Sequence, residues 1–173
     1  VTRLCQYIGM SEQANTGGQH IDERDVLGET CAEMIALAQR QIFIYEPYLM
    51  PQLWGQREVL DAVKRFMIRS SRVEARILCV DPDSAIRNGH PIIPLIQSFS
   101  GRLQVRRTHE RFSPPAWAVT FADQVHWLYR PAHDRITANY HNHPSQRSAE
   151  IHSELNGWWE ESAPVEHMRV LGI

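Results

Sequence analysis

Ala116-Trp117-Ala118-Val119-Thr120-Phe121-Ala122-Asp123 is the stretch on which the reading of this chain turns. It is an uncharged run, rich in β-branched and aromatic residues, that ends on one carboxylate, and it predicts a strand over 116 to 122 paired with a second over 125 to 129. Upstream, Gln41-Ile42-Phe43-Ile44-Tyr45 predicts another strand, closed by Pro47 and Pro51. It follows a helix that Asp25 or Thr30 can cap and that presents Ala32, Ile35, Ala36 and Ala38 on a small-residue face. Val59, Leu60, Val63, Phe66 and Met67 recur at helical spacing opposite Lys64, Arg65 and Arg69, so 56 to 70 reads as an amphipathic helix over a sheet. The strand 75 to 80 then ends in an Asp81-Pro82-Asp83 turn. A short helix near 94 to 98, strands at 103 to 107 and 135 to 140, and a helix over 148 to 161 complete the pattern. Strands separated by helices and then a run of neighbouring strands indicate an α/β sandwich with a mixed sheet flanked by helices.

The 173 residues, 43% hydrophobic and 22% charged, suffice for one domain with a sizeable core. That domain is expected over 25 to 173, after a flexible leader, 1 to 24, that holds Asn15-Thr16-Gly17-Gly18-Gln19 and an alternative start at Met10. Cys5, Cys31 and Cys79 have no metal-ligand spacing, and no run approaches a membrane span. A soluble cytoplasmic protein with no membrane contact is expected. The net charge of −2 conceals an uneven distribution: residues 64 to 111 hold 10 Lys/Arg against 4 Asp/Glu, while both flanking segments are acidic. This basic block has two readings, a solvated surface or an anion and nucleic-acid face centred on Arg102, Arg106, Arg107 and Arg111.

Taken together, Ile42-Phe43-Ile44-Tyr45, Arg76-Ile77-Leu78 with Asp81-Pro82, Gly89-His90, 102 to 106, Asp123 with Leu128-Tyr129-Arg130-Pro131, Trp159-Glu160-Glu161-Ser162 and Arg169-Val170-Leu171 resemble a small proteobacterial domain of unknown function. That domain is similar to phospholipase D and is often associated with GNAT acetyltransferases. The resemblance implies a phospholipase D-like α/β sandwich, and an acetyltransferase as a candidate protein partner. In active phospholipases D the last strand carries His-x-Lys-x4-Asp, where the His attacks phosphorus and the Lys holds phosphoryl oxygens. With Asp123 as anchor, the His falls on Ala116 and the Lys on Ala118, and methyl groups can neither attack nor donate. Where active members carry Gly-Ser-x-Asn, this chain has Arg130-Pro131-Ala132-His133. The resemblance therefore implies a degenerate active site with no catalytic residues. No acetyl-coenzyme A loop is present, since Gly17-Gly18 falls in the leader, and no cofactor is expected.

On this fold the strand ends bring Glu46, Tyr48, Asp81, Asp83, His90 and Trp117 toward the vestigial pocket, an acidic and aromatic set that repels a phosphodiester. His133, His141 and His143 are weak metal-ligand candidates among turn formers, and no metal site is assigned. Three functions remain open. One is a binding or assembly module, expected as a homodimer, because single phospholipase D halves pair as a family through the motif-bearing face, where Ala116, Trp117 and Ala118 suit a buried contact. The second is a nucleic-acid or phosphate-binding protein using the basic block, with Arg102 and Arg106 sharing a strand face. The third is a hydrolase of non-standard, metal-dependent chemistry around His141 and His143.

Overall fold

The computed structural model describes residues 18 to 168. Most of the expected leader, with Cys5 and Met10, and Arg169-Val170-Leu171 lie outside the described residues. In chain order the elements are β1 (Gln19–Ile21), α1 (Arg24–Leu37), β2 (Gln41–Tyr45), α2 (Pro51–Trp54), α3 (Arg57–Arg69), β3 (Glu74–Cys79), α4 (Pro82–Arg87), α5 (Ile93–Ser98), β4 (Leu103–Arg107), β5 (Ala118–Ala122), β6 (His126–Arg130), β7 (Ala138–His141), α6 (Gln146–Glu161) and β8 (Ala163–Pro164). The strands form one mixed sheet ordered β1-β7-β6-β5-β2-β3-β4-β8. β2, β3 and β4 run parallel, and the other neighbouring pairs are antiparallel.

Alternation along β2 divides the core into two layers. Ile42 and Ile44 face the layer covered by α1 and α3, whose Leu27, Cys31, Ile35, Val59, Val63 and Phe66 pack there. Phe43 and Tyr45 face the opposite layer, where α6 lays Ile151, Leu155, Trp158 and Trp159 over Trp117, Val119, Phe121 and Trp127. The second layer is held by aromatic geometry: Trp159 meets Phe43 edge-on at 6.0 Å, and Trp158 stacks on Phe112 at 4.7 Å. α3 buries Val59, Ala62, Val63, Phe66 and Met67, the helical spacing expected of it. Gly28 of α1 lies against the Gln56 and Glu58 side chains at the start of α3; a methyl group there would lie 1.8 Å from Gln56 Oε1, so that side chain would have to move.

Several expectations change. The leader ends in structure, since β1 pairs with β7 through Gln19↔Tyr140 and Ile21↔Ala138. Asp81-Pro82-Asp83 does not simply turn: Asp81 N-caps α4, accepting from Ser84 N at 3.2 Å, with Pro82 in the first turn where a missing N–H costs nothing. Pro51 likewise opens α2. Neither Asp25 nor Thr30 caps α1, which starts after Glu23 without a side-chain cap, and Thr30 is buried mid-helix. α6 begins earlier than expected, with Ser145 and Ser148 forming a reciprocal capping box. Cys31 and Cys79 are buried as expected of a helix and an inner strand, and burial pushes both thiols up to about 12, so neither is a thiolate at neutral pH.

Asp123 has a structural task. It opens the turn between β5 and β6, where Asp123 (φ 53°) and Gln124 (φ 60°) both adopt left-handed conformations and Val125 N donates to Ala122 O at 3.1 Å. Its carboxylate accepts from the backbone N–H groups of Arg40 and Gln41, each at 2.8 Å, and from Gln39 N. One side chain thus ties the β5–β6 hairpin to the α1–β2 connection. Asp123→Ala strands three amide donors at a half-buried site and is expected to cost about 1–3 kcal/mol, lowering the midpoint of thermal unfolding by roughly 3–10 °C.

Candidate functional site

The carboxyl ends of the parallel strands, the end of the sheet where this architecture places ligands, collect Glu46 after β2, Asp81 after β3, Thr108 after β4 and the start of β5. Register sets the geometry. Tyr45 pairs with Val119 and Ala118 pairs with Arg130, so Glu46, Ala118 and Arg130 fall in one row across β2, β5 and β6. All three face the α1/α3 layer. Because Ala118 offers only a methyl group, Glu46 and Arg130 meet over it: Arg130 Nη2 donates to both Glu46 carboxylate oxygens at 2.5 Å, and both side chains are 2% exposed.

The remaining valences of this pair are filled. Trp54 Nε1 donates to Glu46 Oε2 at 2.9 Å. Arg130 Nη1 donates to the carbonyls of His133 at 2.8 Å and Arg135 at 3.2 Å and contacts Met50 Sδ at 3.0 Å. Burial pushes the Glu46 carboxyl up, against the opposing pull of Arg130 and the Trp54 hydrogen bond. The cation beside position 118 is therefore paired and closed to solvent, and the one carboxylate of the row, Glu46, is held in the same pair.

The other expected pocket residues do not join an open site. Asp81 caps α4 and pairs with Arg87 at 3.3 Å, while Asp83 takes Arg107 at 2.7 Å. The acidic, phosphate-repelling pocket is thus corrected: each carboxylate has its own cation. Trp117 is buried, covered by Tyr45 at 5.1 Å and Tyr129 at 5.9 Å, so the motif-bearing strand does not present it for an external contact. Tyr45 OH donates to Pro115 O at 2.9 Å and fixes the approach to β5. His90 is buried between α4 and α5, where Nδ1 accepts from Ile92 N at 3.1 Å and Nε2 has no partner. What the rim exposes is Ala116 and Tyr48, the latter 45% exposed with its ring 5.2 Å from that of His133.

The four anion-binding candidates all have partners within the chain, Arg107 and Arg111 in exposed ion pairs, and do not form one face. Arg102 reaches the end of α3, donating to Met67 O at 3.0 Å and Ser70 O at 2.7 Å. Arg106 points to the other layer, donating to Trp159 O at 2.7 Å with its guanidinium 4.5 Å from the Trp159 ring centre. Arg107 is held by Asp83, and Arg111 pairs with Glu161. The expectation that Arg102 and Arg106 share a face fails because Arg102 precedes β4 and escapes its alternation. His133 and His141 lie at opposite ends of β7; His141 stacks on Trp127 at 4.0 Å and its ring is 6.5 Å from that of His143. No group of three His, Cys, Asp or Glu side chains suited to a metal occurs among the described residues.

A mixed sheet between two helical layers, with its candidate site at the carboxyl ends of the central strands, is the phospholipase D-like architecture. Solved structures agree: NucT from Helicobacter pylori superposes with a TM-score of 0.63 at 10% identity, covering 86% of this chain and 98% of that one. Nuc from Salmonella typhimurium, a phospholipase D family member, gives 0.59 at 13% identity over 86% and 97%. TrmBL2, an archaeal chromatin protein described as showing a novel mode of DNA binding, gives 0.56 at 16% identity over 94% of this chain, which spans 60% of that protein's length. No curated protein sequence matches the chain. The chain belongs to the family described as a domain of unknown function, DUF7931, whose model matches residues 23–171.

The buried pair and the histidines give two expectations. Glu46→Gln or Arg130→Met alone leaves an uncompensated buried charge and should cost about 3–5 kcal/mol, whereas Glu46→Leu combined with Arg130→Met should recover most of that loss in a denaturant-unfolding cycle. Burial lowers the pKa of His90, of His152 and of His141, with Arg76 adding to the effect at His152, and His143 and Arg147 at His141. With folded values below the ordinary 6.5, the unfolded chain binds protons first as pH falls. Stability should be fully present above about pH 6.5 and decline below it. Urea midpoints measured between about pH 7.5 and 5 check this, and a flat profile would contradict it.

Proposed function

We propose that this chain is a catalytically silent phospholipase D-like domain that acts by binding or assembly rather than by phosphodiester hydrolysis. The supporting observation is the Glu46-Ala118-Arg130 row: the place beside the motif lysine position is filled by a buried ion pair, roofed by Trp54 and Met50. Catalysis at phosphorus needs a nucleophile and an accessible cation to stabilise equatorial oxygens. Ala116 supplies no nucleophile, and Arg130 is neither accessible nor free of its counter-charge.

Assembly remains the better of the binding readings, with its contact surface moved. Trp117 and Ala118 are covered within the chain, so a homodimer through this end would use the exposed Ala116 and the Tyr48–His133 ring pair. Polyanion binding through Arg102, Arg106, Arg107 and Arg111 loses its support because carbonyls and carboxylates already hold those guanidiniums. A metal-dependent reaction has none either, given the separation of His133 from His141 and His143.

The purified protein is expected to leave bis-p-nitrophenyl phosphate uncleaved. Ala116→His with Ala118→Lys should not create turnover, since a lysine at 118 enters the row already occupied by Arg130 and Glu46 and should instead lower thermal stability. Turnover in either protein, lost on Asp123→Ala, would refute silence. Light scattering should report a dimer that Ala116→Glu dissociates; a dimer unaffected by that change would move assembly elsewhere.

A further inference from the structure

The end of the sheet opposite this rim has a different character. There α1 and α3, parallel to one another, hand over to β2 and β3. Three of the five exposed large apolar residues among those described lie here: Ile68 (63% exposed), Leu37 (51%) and Val125 (42%). Hydrogen bonds place them together. Arg69, next to Ile68, donates to Ala36 O and Ala38 O on either side of Leu37. Asp123, two residues before Val125, holds the amides of Gln39, Arg40 and Gln41.

The charge at this end is positive. Arg40, Arg65 and Arg72 are exposed, and their side chains have no partner among the described residues. Of the acids there, Glu74 is paired with Arg76 at 3.2 Å, and the Asp123 carboxylate is turned into the α1–β2 connection, where it accepts from backbone N–H groups. Two helix C-termini would ordinarily make this end negative. Here Arg69 caps the last carbonyls of α1, and Arg102 caps those closing α3, so both termini carry a guanidinium. Exposed aliphatic side chains set among free arginines match an anionic lipid interface better than a nucleic acid, since the rings beside the β5–β6 turn, His126 and Tyr140, are already stacked on one another.

We infer that the α1/α3 C-terminal end, with the β5–β6 turn, is a peripheral docking surface for membranes containing anionic phospholipid. Leu37, Ile68 and Val125 enter the headgroup–acyl boundary while Arg40, Arg65 and Arg72 contact lipid phosphates. No described helix is long and apolar enough to cross a membrane, so the contact is superficial. The inference concerns the end away from Ala116 and stands or falls separately from the loss of hydrolysis.

Sedimentation of the protein with vesicles tests it, using phosphatidylcholine alone and phosphatidylcholine with about a third phosphatidylglycerol at about 0.1 M salt. Binding is expected to the anionic vesicles only. Arg65→Ser and Arg72→Ser should each weaken partition about fivefold. Leu37→Ser with Ile68→Ser should weaken it at least about tenfold at unchanged charge and unchanged thermal stability. Failure of the wild type to sediment with anionic vesicles overturns the proposal. Wild-type binding that the Leu37/Ile68 variant retains in full, matched by equal retention of double-stranded DNA, also overturns it and assigns this end to polyanions through charge alone.

Discussion

Two charged side chains from strands that are not neighbours meet across a third strand, and the absence of side-chain bulk at position 118 is what permits it. Adjacent strands lie about 4.8 Å apart, so Glu46 and Arg130 begin nearly 10 Å from one another and need a clear path over β5. Their bidentate contact locks the order β6-β5-β2 at one end of the sheet. It also draws in α2 through Trp54 and the β6–β7 loop through two carbonyls on Arg130. Replacing such a pair by apolar side chains is often neutral for stability, so its role is better described as fixing one arrangement than as contributing net free energy.

Arginine serves elsewhere as a fastener. Arg69 and Arg102 cap the helical layer on one face, and Arg76 and Arg106 flank Trp159 on the other, so guanidiniums hold helices to both faces of the sheet. Five donors in a planar fork suit this work, since one side chain can satisfy several orphan carbonyls while its stem packs on an aromatic face. A surplus of positive charge over residues 64 to 111 is therefore largely an account of internal wiring. Carbonyl acceptors carry no signature in sequence, which is why Arg102 and Arg106 resemble a phosphate-binding pair on paper and act as caps in the fold.

What could be read from the chain divides along the same line. The β2 segment was legible as a continuous β-branched and aromatic run, and β4 and α3 because their apolar residues recur at the strand or helix period; the α/β sandwich followed from the succession of strands and helices. Pro51 and Pro82 misled, because a proline that ends an extended segment also suits the first turn of a helix, and α2 and α4 are too short to show periodicity. β1 and β8 are three and two residues long and owe their extended form to the strands they join. At the candidate site the sequence shows alanine at 116 and 118, small side chains that leave room in the row. The partner of Glu46 was not legible: Arg130 stood out only as a departure from a loop motif, and its meeting with Glu46 depends on a register that no local pattern encodes.

β8 bears on how copies of this protein can associate. It closes the β4 side of the sheet with two residues, one of them Pro164, which has no N–H to offer. A sheet margin with an open ladder of donors and acceptors invites another chain to add a strand, the route to runaway fibrillar growth. Here that margin is cut short at Arg106 and Arg107, so a strand added on this flank would find little backbone ladder, and recognition there falls mainly to side chains, which choose among partners more strictly.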